Sequence, residues 1–223
     1  MLLSEVTYAI LDIIRGGYIS DDEKLDIRLI ETFIRSKRAE YIQQYVEPGK
    51  PLPEHFYQYC TSSSKSLLTN PTDTTKIYKL LGLPKVVFSR NGPIIMEITE
   101  ASNNYKGFAL DASPFKLVNN YAFKYSGEGR FNANWIYVTY KGDTLYMKSK
   151  GTKLPTINKF SIKAVFEDPE DIATFNCDEQ DYPITIQAYE YIKEQVLATD
   201  LKIFVAAKSD TDNDSSGEVD SIN

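Results

Sequence analysis

The spacing of the apolar residues changes twice along the chain, and this limits the fold more than any other feature. At the N-terminal end Leu3, Val6, Tyr8, Ile10, Leu11, Ile13 and Ile14 leave little polar face, which predicts a helix over about 3–15. Gly16-Gly17 ends it, because glycine takes the left-handed conformation of a C-terminal cap. A short helix that is apolar nearly all round has to be covered on several sides. Leu25, Leu29, Ile30, Phe33, Ile34, Tyr41, Ile42 and Tyr45 then recur at helical spacing. Ser20 precedes Glu23 by the capping-box interval, and Asp21 and Asp22 suit the positive end of the helix dipole. The helix stops near Val46, ahead of Pro48-Gly49. It spans about six turns, roughly 36 Å, and makes a helical hairpin with the first.

Beyond the linker marked by Pro48, Pro51 and Pro53 the period falls to two. Phe56–Thr61 and Lys85–Phe88 read as short strands, and Asn91-Gly92 offers a tight turn before Ile94–Thr99. Lys76–Leu81 fits either a helical turn or a strand. The run 134–140 is rich in branched and aromatic residues, and Lys141-Gly142-Asp143 turns it into a returning strand over Thr144–Lys148. Phe160–Phe166 alternates, so one face is buried. After Tyr182-Pro183 helical spacing returns, through Ile186, Tyr189, Ile192, Val196, Leu197, Leu201, Phe204 and Val205.

The expected fold is therefore α+β: an N-terminal helical hairpin (1–47) and a C-terminal helix (184–208) flank an antiparallel β-sandwich or barrel-like domain (48–183), and the helix packs with the hairpin. A last segment, Ser209–Asn223, holds Asp210, Asp212, Asp214, Glu218 and Asp220 and no basic residue. It has too little apolar surface to offset its ordering entropy and reads as a flexible acidic tail.

Composition narrows the chemistry. A chain of 223 residues buries enough surface to fold without disulfide or metal. Its net charge of −6 argues against broad binding to duplex nucleic acid. No apolar stretch has the length of a membrane span. One histidine, His55, and two cysteines, Cys60 and Cys177, exclude a four-ligand Cys/His zinc site, and no nucleophile-elbow glycines surround Ser62-Ser63-Ser64. Ser126-Gly127-Glu128-Gly129-Arg130 lacks phosphate-loop spacing. The acidic runs Glu167–Asp171 and Cys177–Asp181 lack the alternation of a calcium loop. The reading is a protein without catalytic residues, metal or cofactor. The excess of 16 Tyr and 11 Phe suits buried interfaces, where such side chains are enriched.

Three segments resemble virion structural proteins of tailed bacteriophages, particularly the crAss-like phages. They are Val6–Gly17 with Ile19–Glu23, the helix Ile27–Ile42 with its Arg-rich middle, and the C-terminal pair of Asp200-Leu201-Lys202 and Asp210–Asp214. The resemblance implies an adaptor ring of the head-to-tail connector. Such a ring, of twelve copies by analogy with the portal, would contact the portal protein and other neck or tail rings. It would enclose the DNA path without reading its sequence. A heterologous contact that closes makes such a ring. The long helix offers Arg28, Arg35, Lys37, Arg38, Tyr41 and Tyr45 for contacts between subunits or with the portal, and the tail offers Val219 and Ile222 for docking on a partner. The competing reading is a non-catalytic β-rich module for a carbohydrate or protein ligand, stacking it on Trp135, Tyr137 and Tyr140.

Overall fold

The computed structural model describes residues 1–15, 27–47, 50–69, 75–101, 115–126, 135–150 and 153–200. It is mixed helix and strand, and the chain divides into two compact units. One comprises Met1–Gln44 and the segment that begins at Asn176; the other is Tyr45–Phe175. Residues 176–183 thus group with the helices, whereas the sequence placed them with the strands. The reason is local: Tyr182 N donates to Met1 O at 2.9 Å and Pro183 O accepts a bond from Arg38.

The helical unit contains α1 (Leu3–Arg15), α2 (Ile27–Val46, which ends two residues into the other unit) and α5 (Ile186–Gln195). In α1, Leu3, Val6, Thr7, Ile10 and Leu11 are buried, one face of a 3.6-residue period. In α2 the buried stripe is Ile30, Ile34, Arg38 and Ile42, a strict spacing of four. The capping box at Ser20 and Glu23, the Gly16-Gly17 stop and the tail from Ser209 lie outside the described residues. The last helix opens on a cap that the apolar pattern does not reveal: Thr185 Oγ1 accepts from Ala188 N at 3.2 Å. After Gln195 the backbone widens into a π-helical turn, Val196–Asp200.

The β unit holds two main sheets. β1 (Gln58–Ser62), β10 (Phe160–Ala164) and β6 (Ile95–Glu100) form an antiparallel sheet in that spatial order. β2 (Lys65–Leu67), β3 (Lys76–Leu80), β9 (Thr144–Ser149), β8 (Ile136–Lys141) and β7 (Phe115–Leu117) form the second, antiparallel except for the parallel pair of β7 and β8. The small ribbon of β4 (Phe88–Ser89) and β5 (Gly92–Pro93) turns through Arg90-Asn91, one residue before the Asn91-Gly92 of the sequence expectation, because Gly92 pairs with Ser89. Both main sheets supply one core, which includes Cys60, Leu80, Ile98, Val138, Met147 and Ile162. The chain crosses between the sheets at Ser63-Ser64, where β1 leads into β2. Ser62 Oγ donates to Leu81 O at 2.8 Å and Leu81 N to Ser64 O at 2.9 Å, which fixes that corner. Lys65 holds the start of β2: its Nζ donates to the carbonyls of Leu154, Pro155 and Ile157 at the end of the short helix α4 (Lys153–Thr156). Burial lowers its pKa, and those carbonyls are the compensation for its desolvation.

Lys76–Leu80, which fits two readings in sequence, is a strand because Tyr78 and Leu80 alternate into the core between β2 and β9. In β6 the register against β10 shifts between Lys163 and Ala164: Lys163 faces Glu97 and Ala164 faces Ile95. Met96 is the extra residue of this bulge and stands exposed at the sheet edge.

The hairpin of β8 and β9 turns through Gly142 and Asp143, both at φ 55°, the left-handed pair of a type I′ turn. A Cβ on Gly142 would meet nothing within 4 Å, so only backbone conformation resists substitution. Gly142→Val should therefore cost about 1–2 kcal/mol in urea unfolding, whereas Gly142→Asn should cost well under 1 kcal/mol. Equal costs for the two would show that the turn is not held in this geometry.

α3 (Asn120–Tyr125) lies over the outer face of the five-stranded sheet. Asn119 Oδ1 caps it by accepting from Ala122 N at 2.7 Å, Thr139 Oγ1 donates to Asn120 Oδ1 at 2.8 Å, and Lys148 Nζ donates to Lys124 O at 3.1 Å. β8 is in consequence buried on both faces.

Candidate functional site: surfaces for subunit contact

Chemistry needs a reactive group, and several of the residues singled out for it are otherwise engaged. His55 is exposed in the 3-10 turn Glu54–Phe56. Cys60 points into the core, and burial pushes its thiol pKa up, away from the thiolate that attacks. Asp168, in the first acidic run, caps a 3-10 turn by accepting from Glu170 N at 3.0 Å, and Glu167 pairs with Lys85 at 2.9 Å. Among the described residues no three His, Cys, Asp or Glu side chains stand together as a metal would need.

The aromatic row of β8 is not a platform. Tyr140 is buried in the core, and its hydroxyl accepts from Val86 N at 3.1 Å. Tyr137 is buried on the opposite face, the one that α3 covers. The reading of a ligand stacked on Trp135, Tyr137 and Tyr140 loses two of its three side chains, because a central strand under a helix has no open face.

The basic residues of α2 separate by environment. Arg28 is exposed. Arg35 is half-buried with Glu31 at 3.9 Å, and Lys37 is half-buried with Glu40 at 3.1 Å. Arg38 departs from the sequence expectation of a contact residue. It is 0% exposed, in register with the isoleucines of the stripe. Its Nε donates to Pro183 O at 2.9 Å, and its guanidinium lies 5.7 Å from the centre of the Tyr182 ring. A planar, weakly hydrated cation suits this role better than lysine would. Tyr41 is half-buried against Tyr191, ring centres 5.2 Å apart, and the Tyr191 hydroxyl donates to Gln44 Oε1 at 3.1 Å. Tyr45 is half-buried, with the Lys50 ammonium 5.9 Å from its ring centre. Val219 and Ile222 lie outside the described residues.

The sequence did not single out several exposed large side chains of the helices as contact residues. On α1, Tyr8 is 54% and Ile13 51% exposed, with Glu5 and Asp12 also exposed. On α3, Tyr121 is 77% and Tyr125 53% exposed, their rings 5.3 Å apart. The only signal for the first pair is that α1 has more apolar residues than one buried face can take.

A two-unit α+β chain that keeps large apolar side chains at its helix surfaces defines a subunit built to be covered by other protein. The chain belongs to the phage tail ring protein 2 family, whose model matches residues 5–221 and so takes in both units. It is accordingly a structural, ring-forming virion protein of the crAss-like phages, and copies of itself are among its partners. No curated protein matches the chain. Among the described residues no helix is long and apolar enough to cross a membrane.

Proposed function

We propose that the chain is one layer of the adaptor at the head-to-tail connector, a ring of twelve copies seated between the portal protein and the other neck or tail rings. One observation carries this reading. The sequence of α1 demands cover on several sides, and among the described residues one face is buried, leaving Tyr8 and Ile13 exposed on either side of Glu5 and Asp12. A heterologous ring contact needs two unlike surfaces on each subunit. The acidic, apolar side of α1 is one. α2 supplies the other, with Arg28 exposed, Arg35 and Lys37 half-buried, and Tyr41 and Tyr45 toward its end. Arg38 is omitted because it is internal. The net charge of −6 suits a DNA conduit, since repulsion from phosphate keeps the passage from adhering to its cargo.

The test is cryo-electron microscopy of virions with symmetry released at the neck. A twelve-fold layer with α1 of one subunit against α2 of the next is the expected density. A copy or two per particle, or a ring placed away from the connector, would refute the adaptor reading.

A further inference from the structure

Charge is distributed unevenly over the β unit. The strands β2, β3, β7, β8 and β9 and the helix α3 contain no aspartate or glutamate. This holds in a protein whose acidic residues number 31 against 25 basic. The lysines on these elements are not placed at random. The register puts Lys116 opposite Tyr137 and Lys79 opposite Tyr146 on the outer face, and alternation along β8 puts Lys141 there with Tyr137 and Thr139. Lys148 shares this face but is consumed beneath α3. Lys116, Lys124 and Lys141 remain exposed, and Tyr121 and Tyr125 stand exposed among them.

We infer that this face is the dock for the acidic C-terminal segment, residues 209–223, of a neighbouring copy. The inference rests on the ring reading only for the presence of a neighbour. Complementarity argues for this occupant. The strands and helix of the face carry lysines and no carboxylate, and the segment has five carboxylates and no basic residue. Each also has an apolar component: Val219 and Ile222 on the segment, and the Tyr121–Tyr125 pair on the face. Amphipathic tyrosines near cations suit a peptide that carries carboxylates and a few aliphatic side chains.

Zero-length carbodiimide coupling tests this on the full chain. Equal amounts of 14N and 15N protein are mixed, assembled and coupled, so that a heavy–light peptide pair marks a link between copies. The expected links are amides joining Lys116, Lys124 or Lys141 to the carboxylates of residues 209–223, heavy to light. The pair Lys116→Glu and Lys124→Glu should remove them and raise the subunit concentration needed for assembly about tenfold at low salt, the scale of a few exposed ion pairs. Adding Asp210→Lys, Asp212→Lys and Asp214→Lys should restore both. Links within one chain only, tail links to other lysines, no links, or no rescue would each overturn the inference. Duplex DNA that binds the wild-type chain, and not the Lys116→Glu, Lys124→Glu pair, would also overturn it and make the face a phosphate contact. Native mass keeps the two readings apart: closed rings without these links sink the dock and leave the ring, whereas a wild-type chain that never oligomerises sinks both.

Discussion

Arg38→Ala should destabilise the helical unit by about 3 kcal/mol in urea unfolding, one of the two largest effects expected. Three losses add. The Pro183 carbonyl loses its charged donor, a cavity opens in the isoleucine stripe, and the Tyr182 ring loses the guanidinium over it. Arg38→Met keeps most of the stem volume, so it should recover part of the loss, with the orphaned carbonyl accounting for the rest. Assembly of whatever remains folded should be unchanged. Near-native stability with assembly abolished would return Arg38 to the subunit boundary, where the sequence placed it.

The second large effect falls on association alone. Tyr8→Asp combined with Ile13→Asp should weaken ring assembly about a hundredfold, since truncating or charging two central apolar anchors costs roughly 3 kcal/mol of binding. Monomer stability should move by about 0.5 kcal/mol or less, as both side chains are exposed in the subunit. Sedimentation at matched concentrations reads the first quantity and urea unfolding the second. Intact rings from the double variant would show that α1 faces solvent in the assembly as well.

Much of the fold is legible in the sequence because its signals are local. The span of α1 follows from apolar density, and the hairpin of β8 and β9 from branched residues either side of Gly142-Asp143. Features that depend on distant partners are not. Nothing near Lys76 says strand until β2 and β9 flank it. The parallel pairing of β7 is set by a neighbour some twenty positions on. Arg38 is the clearest case. Between Lys37 and Ala39 it reads as part of a charged helix face, yet it occupies the fourth-residue register of Ile30, Ile34 and Ile42. That register was visible, but only the carbonyl of Pro183, far along the chain, makes an arginine affordable there. The contact surfaces were the least legible part, because excess apolar residues on a helix do not say which of them the subunit itself will cover.

The bulge at Met96 bears on order of assembly as well as on shape. An open sheet margin with regular spacing invites the matching margin of any other copy, and the product of such pairing is a growing fibre. At Met96 the donors and acceptors of β6 fall out of step, so a second strand laid alongside finds partners on one part of its length only. Subunits crowded together before a particle exists are thereby kept from joining edge to edge. Under the ring contacts proposed above, recognition would fall to side-chain contacts, which can be made, released and made again until the circle closes.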